Sequence, residues 1–275
     1  MKKNRIKQKL KFLSENDFLF EDLDESVLLP GRQFFFDEKL FLGAFENHEI
    51  KKFLKKKGVF IILRKKGYDD LDIKIEISTR YDNRITIIDN KTKEKIIFMR
   101  LHRSLFSAQE LSSSLANLDI LFIDWLLLQD VRQKSKKEKE KLYPGQKHHG
   151  LGIFLIIKRF IESLVLDKNI NAAASVPEYF HDAVLFARHF KYLKPESQAL
   201  FDLLREEAKT RSLKELSLLI ENKKVSLQAN HQKEAFTFNL GEMIAPNCSS
   251  LLEYFESNEY ERRYRQTKKE AKFYI

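Results

Sequence analysis

The residues best suited to chemistry lie in one loop rich in glycine and cations, residues 143–152, whose sequence is YPGQKHHGLG. An apolar run precedes the loop at residues 120–128 and an amphipathic stretch follows it at 151–166, which predicts a strand, a turn and a helix. Glycines let the backbone approach an anion, and the first turn of a helix offers unpaired N–H groups at the positive end of its dipole. The loop therefore predicts a phosphate-binding site, although the glycines also suit a turn that binds nothing.

Three side chains outside this loop are candidates for acid–base chemistry. Asp124 interrupts the apolar run at residues 120–128, where a carboxylate either acts on a ligand or pairs with a structural neighbour. Tyr179 and His181 lie on a predicted helix that begins at Pro177, and helix packing explains both of them equally well. The neighbouring Trp125 is predicted to belong to the core.

The sequence predicts neither a metal site nor thiol chemistry. Cys248 is the single cysteine, and no cysteine–histidine cluster has the spacing of a structural zinc site. His148 and His149 are adjacent, and adjacent positions do not share one face of a helix. No base is placed by the sequence to activate the Cys248 thiol.

The composition is that of a globular protein, since 43% of the 275 residues are hydrophobic and 12% are aromatic. The net charge of +10 is confined to two segments: residues 1–13 hold six Lys or Arg and no acid, and residues 131–150 hold seven with two Glu. This distribution favours local anion binding over a broad nucleic-acid surface, so a nucleic-acid partner is open but not favoured. No apolar stretch of about 18 residues and no secretory signal occur, which predicts a cytoplasmic protein without a membrane span.

The hydrophobic periodicity predicts a mixed, mostly antiparallel central sheet flanked by helices, an α/β (α+β) fold. Predicted strands cover residues 59–63, 73–77, 84–88, 95–100, 120–128 and 170–176. Predicted helices cover residues 46–57, 153–166, 177–190, 197–209, 212–222 and 249–255. The strand-like segments 225–227 and 236–238 are expected to form a small hairpin, and a charged tail is expected from residue 259 onward.

The order of elements, together with the loop, resembles the GNAT superfamily of N-acetyltransferases. In that family a loop of the form Gln/Arg-x-x-Gly-x-Gly/Ala binds a pyrophosphate; here Gly150 and Gly152 match the glycine pair, and Lys147 stands at the first position. The second half is similar as well, because Ala183 and Leu185-Phe186 resemble an Ala…Leu-Tyr pattern in the closing helix. The family's proton-donating Tyr aligns with Phe186.

The resemblance implies a GNAT-like acyl-CoA-binding domain at residues 45–195, with a basic arm at 1–44 and a mainly helical extension at 196–275. It implies acetyl-CoA as cosubstrate and transfer to an amine acceptor, a small molecule or a protein. The implied pyrophosphate cradle comprises Gln146, Lys147, His148, His149, Gly150, Leu151 and Gly152. The backbone of Leu126, Leu127 and Leu128 is expected to meet the pantetheine arm, and the lysines at 134–141 the 3′-phosphate.

The same resemblance implies that Asp124 is the base and that Tyr179 or His181 replaces the missing Tyr as proton donor. No metal is implied. The alternative is a non-catalytic protein that keeps the scaffold and binds CoA, a protein partner or nucleic acid. A homodimer is also left open by the sequence.

Overall fold

A sheet of mainly antiparallel strands forms the centre of the protein, as the hairpin patterns predict. The computed structural model describes residues 37–132, 142–229 and 232–275. Its helices are α1 (Asn47–Lys56), α2 (Val59–Lys65), α3 (Phe154–Asp167), α4 (Phe180–Phe186), α5 (Pro195–Glu207), α6 (Leu213–Glu221), α7 (Ser249–Glu256) and α8 (Asn258–Glu270). Its strands are β1 (Leu71–Thr79), β2 (Asp82–Asp89), β3 (Lys95–Phe106), β4 (Leu118–Asp130), β5 (His149–Gly150), β6 (Ala172–Ser175), β7 (Lys191–Tyr192), β8 (Ser226–Ala229), β9 (Gln232–Ala235), β10 (Met243–Pro246) and β11 (Lys272–Tyr274). The basic segment 1–13 and the whole lysine-rich run 134–141 considered above lie outside the described residues.

The main sheet has eight strands in the order β1-β2-β3-β4-β6-β10-β7, with β5 beside the far end of β4. Strands β4 and β6 run parallel and are joined through α3, whereas the other described pairs of this sheet are antiparallel. Strands β11, β8 and β9 form a separate three-stranded sheet. The predicted fold class, a mixed and mostly antiparallel sheet flanked by helices, is confirmed.

The β2–β3 connection is held by a buried carboxylate. Asp89 is fully buried, and it accepts hydrogen bonds from the backbone N–H and the hydroxyl of Thr92, at 3.2 Å and 2.9 Å. Its second partner is Arg132, just after β4, whose Nε donates over 2.9 Å. These charged hydrogen bonds lower the pKa of Asp89 to about 2. The carboxylate therefore fastens the hairpin loop to the end of β4.

Residues 59–63 are helical, so the predicted strand there is wrong. Gly58 adopts a left-handed backbone conformation with φ of 79°, which ends α1 and lets α2 begin in a new direction. Val59 and Leu63 then lie four residues apart on one helix face and are both buried. A short apolar run does not distinguish a strand from a buried helix, and here the helical spacing buries the same side chains.

Strand β4 is buried on both faces only in its first half. Leu121 and Ala173 enter one core cluster, whereas Ile120 and Ala174 enter a second cluster on the opposite face. The prediction that Trp125 belongs to the core is wrong, because its side chain is 52% exposed. An extra residue in the strand, described below, changes the side-chain alternation at this point.

The remaining corrections concern the ends of helices and the C-terminal region. Helix α4 covers only Phe180–Phe186, because Tyr179 has an extended backbone and Pro177 precedes the helix. The predicted charged tail is instead α8, whose first turn is capped by the Ser257 hydroxyl, followed by β11. Strand β10 was not predicted; it lies between β6 and β7 in the main sheet. The hairpin near residue 230 is present as β8 and β9, although β9 precedes the predicted segment 236–238.

Candidate functional site

Asp124 lies at a β-bulge in the middle of β4. Arg100 is paired with Trp125 and Leu101 with Ile123, so Asp124 is an extra residue without an opposite partner on β3. A bulge bends its strand and redirects a side chain, and bulges are frequent beside active sites. The carboxylate is thus set apart from the regular alternation of the strand.

The bulge brings Asp124 against a histidine that the sequence did not single out. Its Oδ2 atom lies 2.8 Å from Nδ1 of His102, on the neighbouring strand β3, and 3.8 Å from Nε of Arg100. The His102 ring is only 7% exposed and stacks on Phe122, with ring centroids 4.7 Å apart and planes within 4°. A carboxylate in this position fixes the orientation of the imidazole ring.

Strand β4 has a free edge directly after the parallel pairing stops. The last pair with β6 is Ile123 with Ser175, and the Ser175 hydroxyl donates to the carbonyl oxygen of Ile123 over 3.2 Å. Pairing resumes only at Gln129 and Asp130, which face β5. No described residue gives a strand partner to residues 124–127 on this side. Carboxyl ends of parallel strands are the usual place for ligands in such sheets, so this gap is a candidate binding edge.

The glycine-rich loop closes one end of that gap. Within it His149 and Gly150 form β5, and the N–H of Leu151 donates to the carbonyl oxygen of Leu128 over 2.9 Å. The Leu128 carbonyl already has this internal partner. Because alternate residues of a strand direct their backbone groups to the same side, Leu126 directs its N–H and C=O groups toward the gap, whereas Leu127 directs them toward β3. His148 anchors the loop through an Nε2–Oε2 contact of 2.9 Å with Glu94.

The start of α3 has the features of an anion site. Gly152 adopts a φ of 68°, Ile153 supplies no side-chain cap, and Phe154 begins the helix. The first N–H groups of the helix therefore have no capping side chain. Lys66, at the end of α2, brings its Nζ atom to 3.9 Å from where a Cβ on Gly152 would stand. Sequence reasoning missed this lysine, because it lies 86 residues before Gly152 and just after a predicted strand.

The beginning of the loop packs on Tyr179 and His181. The Tyr143 ring stacks on His181 with centroids 4.6 Å apart, and Tyr179 stacks on the same imidazole at 5.5 Å. Gly145 has a φ of 72°, and a Cβ there would lie 2.8 Å from the Tyr179 ring, so only glycine fits without a shift. The structure therefore joins Tyr143, Tyr179 and His181 in one aromatic cluster that holds the loop.

Burial determines the charge state of this cluster. It lowers the pKa of His181 to about 4, and the Nδ1 atom of that ring has no hydrogen-bond partner in the described part of the chain. The imidazole is therefore neutral near pH 7. Burial, followed by the nearby Glu178, raises the pKa of Tyr179, which keeps its phenol protonated. Burial and Glu178 also raise the pKa of Asp182 to about 6.

Comparison with known proteins identifies no family. No protein-family model matches the chain, and a search of curated proteins finds no significant match. The resemblance of the loop and the element order to the GNAT superfamily thus stays a prediction.

The predicted site residues fall into two groups. Asp124 belongs to the bulge with His102, whereas Tyr179 and His181 belong to the aromatic cluster under the loop. No hydrogen bond or ion pair between these described side chains joins Asp124 to the other two. The pair His102–Asp124 escaped sequence reasoning because the predicted strand 95–100 ended before His102.

Two negative findings concern the described residues only. Within residues 37–132, 142–229 and 232–275, no group of three or more His, Cys, Asp and Glu side chains is arranged to hold a metal ion. In the same part of the chain, no helix is long and apolar enough to cross a membrane.

Proposed function

We propose that this protein is an acyl-CoA-dependent N-acyltransferase that transfers an acetyl group to an amine. The observation that carries the proposal is the free edge of β4 at residues 124–127, with Asp124 at one end and the glycine loop at the other. An extended pantetheine arm carries amide groups that can bond to such an edge as a short strand would. The donor thioester then ends beside the bulge.

The N-terminus of α3 suits the pyrophosphate of CoA. The N–H groups that follow Gly152 point away from the helix, and the Lys66 ammonium group adds a positive charge on the same side. Gly150 has no atom within 4 Å of a Cβ position, so open space lies beside the loop. These features support a cradle that extends from the predicted residues 146–152 to the first turn of α3.

The side chains divide the proton transfers between them. Asp124, held in place by His102, takes a proton from the amine acceptor, whose nitrogen forms the amide bond while the carbon–sulfur bond breaks. Tyr179 is the proton donor for the departing thiolate, because its phenol is protonated at neutral pH. Both roles depend on the acceptor and the thioester meeting between the bulge and the loop.

Calorimetric titration with acetyl-CoA and with CoA tests cosubstrate binding. We expect saturable binding, with the affinity reduced about tenfold or more by Lys66→Ala, which removes one charge-assisted phosphate contact. Lys65→Ala is the matched control, since Lys65 precedes it on α2 and is also exposed. No binding at concentrations up to about 1 mM would refute the proposal.

Gly150→Val separates binding from folding. Because nothing lies near the Cβ position, the variant should keep its melting temperature while losing affinity for CoA. If affinity and melting temperature fall together, the glycine serves the fold alone.

Release of free thiol from acetyl-CoA in the presence of amine acceptors tests the chemistry. Asp124→Asn should lower the turnover rate at least about a hundredfold, the usual contribution of an acid–base group, with little change in CoA affinity. CoA binding without thiol release from any amine would instead support the non-catalytic alternative, which the buried Phe186 at the position of the family's Tyr favours.

A further inference from the structure

Strand β1 forms one edge of the main sheet, and its outer side is open as far as the described residues extend. It pairs with β2 on one side only, over the nine residues Leu71–Thr79, and no described strand lies on its other side. Every second residue of such a strand directs its N–H and C=O groups away from the sheet. Soluble proteins usually protect an edge like this with a proline, a bulge or a covering loop. Strand β1 contains no proline or glycine, and its one irregularity lies at its far end, between Ile77 and Thr79.

The two faces of β1 differ sharply in character. Ile73, Ile75 and Ile77 are half-buried and pack against the main core, while Lys74 and Glu76 are exposed on the opposite face. A single lysine on an edge prevents pairing because two copies would place like charges together. Here the lysine is followed two residues later by a glutamate, so the exposed face carries a self-complementary pair.

One antiparallel register pairs opposite charges on the exposed face and isoleucines on the apolar face. With a two-fold axis through Ile75, each Lys74 lies opposite the Glu76 of the other copy, and each Ile73 lies opposite Ile77. Directly opposite residues in an antiparallel pair share a face and place their Cβ atoms about 4.5–5.5 Å apart. Both cross-strand charge pairs are then attractive, and the isoleucines continue the apolar face of the sheet.

The neighbouring registers place like charges opposite each other. An axis at Lys74 places that lysine opposite its own copy and Asp72 opposite Glu76, and an axis at Glu76 places two glutamates together. An axis at Ile73 pairs Asp72 with Lys74 but also brings Asp70 opposite Glu76. A shift by one residue would set isoleucines opposite charged residues and mismatch the two faces.

We propose that two copies of the chain form a dimer by antiparallel pairing of their β1 strands about a two-fold axis at Ile75. The two eight-stranded sheets then join into one continuous sheet, and the dimer needs no ligand. The axis repeats each contact, so a change at one position alters two cross-strand pairs at once. This inference rests on β1 alone and is independent of the proposed acyl transfer.

Charge reversal in the full-length chain tests the register. Sedimentation analysis over a range of concentrations should show a dimer for the wild-type protein, and Lys74→Glu or Glu76→Lys should each raise its dissociation constant about tenfold or more. The double variant, Lys74→Glu with Glu76→Lys, restores both pairs and should dimerise like the wild type. A mixture of the two single variants should form a heterodimer, because one chain then presents two glutamates and the other two lysines.

The control is Lys52→Glu on α1, an exposed charge reversal away from β1 that should leave the dimer unchanged. Melting temperatures of all variants check that the exposed substitutions preserve the fold. A monomer at every concentration would overturn the proposal. A dimer whose dissociation constant is unchanged in both single variants would overturn it as well. If the single variants weaken the dimer but neither the double variant nor the mixture restores it, the proposed register is wrong.

Discussion

The burial of His181 predicts a specific loss of stability in acid. Its side chain is 8% exposed between Tyr143 and Tyr179, and burial lowers its pKa from 6.5 to about 4. The unfolded chain therefore binds a proton at this residue near pH 6.5, whereas the folded chain resists it until about pH 4. Stability that is fully present above the unfolded pKa is lost as the pH falls through this window.

The size of the effect follows from the width of the window. A difference of roughly 2.5 pKa units corresponds to about 3 kcal/mol at 1.36 kcal/mol per unit. Asp182 acts in the opposite sense, because its raised pKa of about 6 means that the folded chain takes up its proton first. The net curve of the wild-type protein is therefore flatter than His181 alone would give, and a variant is needed to isolate the histidine.

His181→Phe keeps the aromatic stack and removes the titrating group. Urea unfolding between about pH 7.5 and about pH 4.5 should show the variant gaining up to about 3 kcal/mol on the wild type as the pH falls. His48→Gln is the control, because His48 is 73% exposed and its replacement should leave the pH dependence unchanged. If the wild-type and His181→Phe curves run parallel, the buried-imidazole argument is wrong.

Three further predictions concern other parts of the structure. Gly145→Ala should cost about 1–3 kcal/mol more in thermal melts than Gly58→Ala, because both have left-handed backbones but only the first would contact Tyr179; equal losses would contradict the predicted clash. Asp89→Asn should cost about 3 kcal/mol in urea unfolding at pH 7, because it leaves Arg132 without its buried partner, and the difference should shrink as the pH falls from 3.8 toward about 2. A cost at pH 7 below about 0.5 kcal/mol, as expected of an exposed site, would refute it. The single tryptophan, Trp125, should show solvent-exposed fluorescence that acrylamide quenches, and bound CoA should reduce the quenching; unchanged quenching with CoA bound would place the cosubstrate elsewhere.

Periodic elements with clear ends were predictable from the sequence. Helix α1 ends just before Gly58, and a glycine directly after a helical pattern is a typical helix stop. Helix α3 carries a long apolar stripe, and β1 alternates isoleucines with charged residues. In these segments local propensity and burial favour the same structure, so the prediction and the fold agree.

The candidate site was less predictable because it depends on pairing between distant strands. A bulge at Asp124 is a matter of register between β3 and β4, and no residue type in the sequence marks it. His102 becomes relevant only once that register is known. The position of Lys66 beside Gly152 depends likewise on the packing of α2, which the sequence pattern assigned as a strand. Of these three residues, only Asp124 was predicted from the sequence, because a carboxylate within an apolar run stands out without a structure.

The pKa shifts favour Tyr179 over His181 as the proposed proton donor. A histidine with a pKa of about 4 is neutral at physiological pH, so His181 has no proton to give as an acid of ordinary strength. The Tyr179 phenol stays protonated, and its oxygen lies 2.9 Å from the Cβ position of Gly145, at the start of the glycine-rich loop. His181 is better placed as a positioning residue, because its ring stacks on both tyrosines. If this division is right, Tyr179→Phe should lower acyl-transfer turnover with little effect on CoA affinity, whereas His181→Phe should leave most of the turnover intact. The opposite pattern in a thiol-release assay would assign the proton to the histidine.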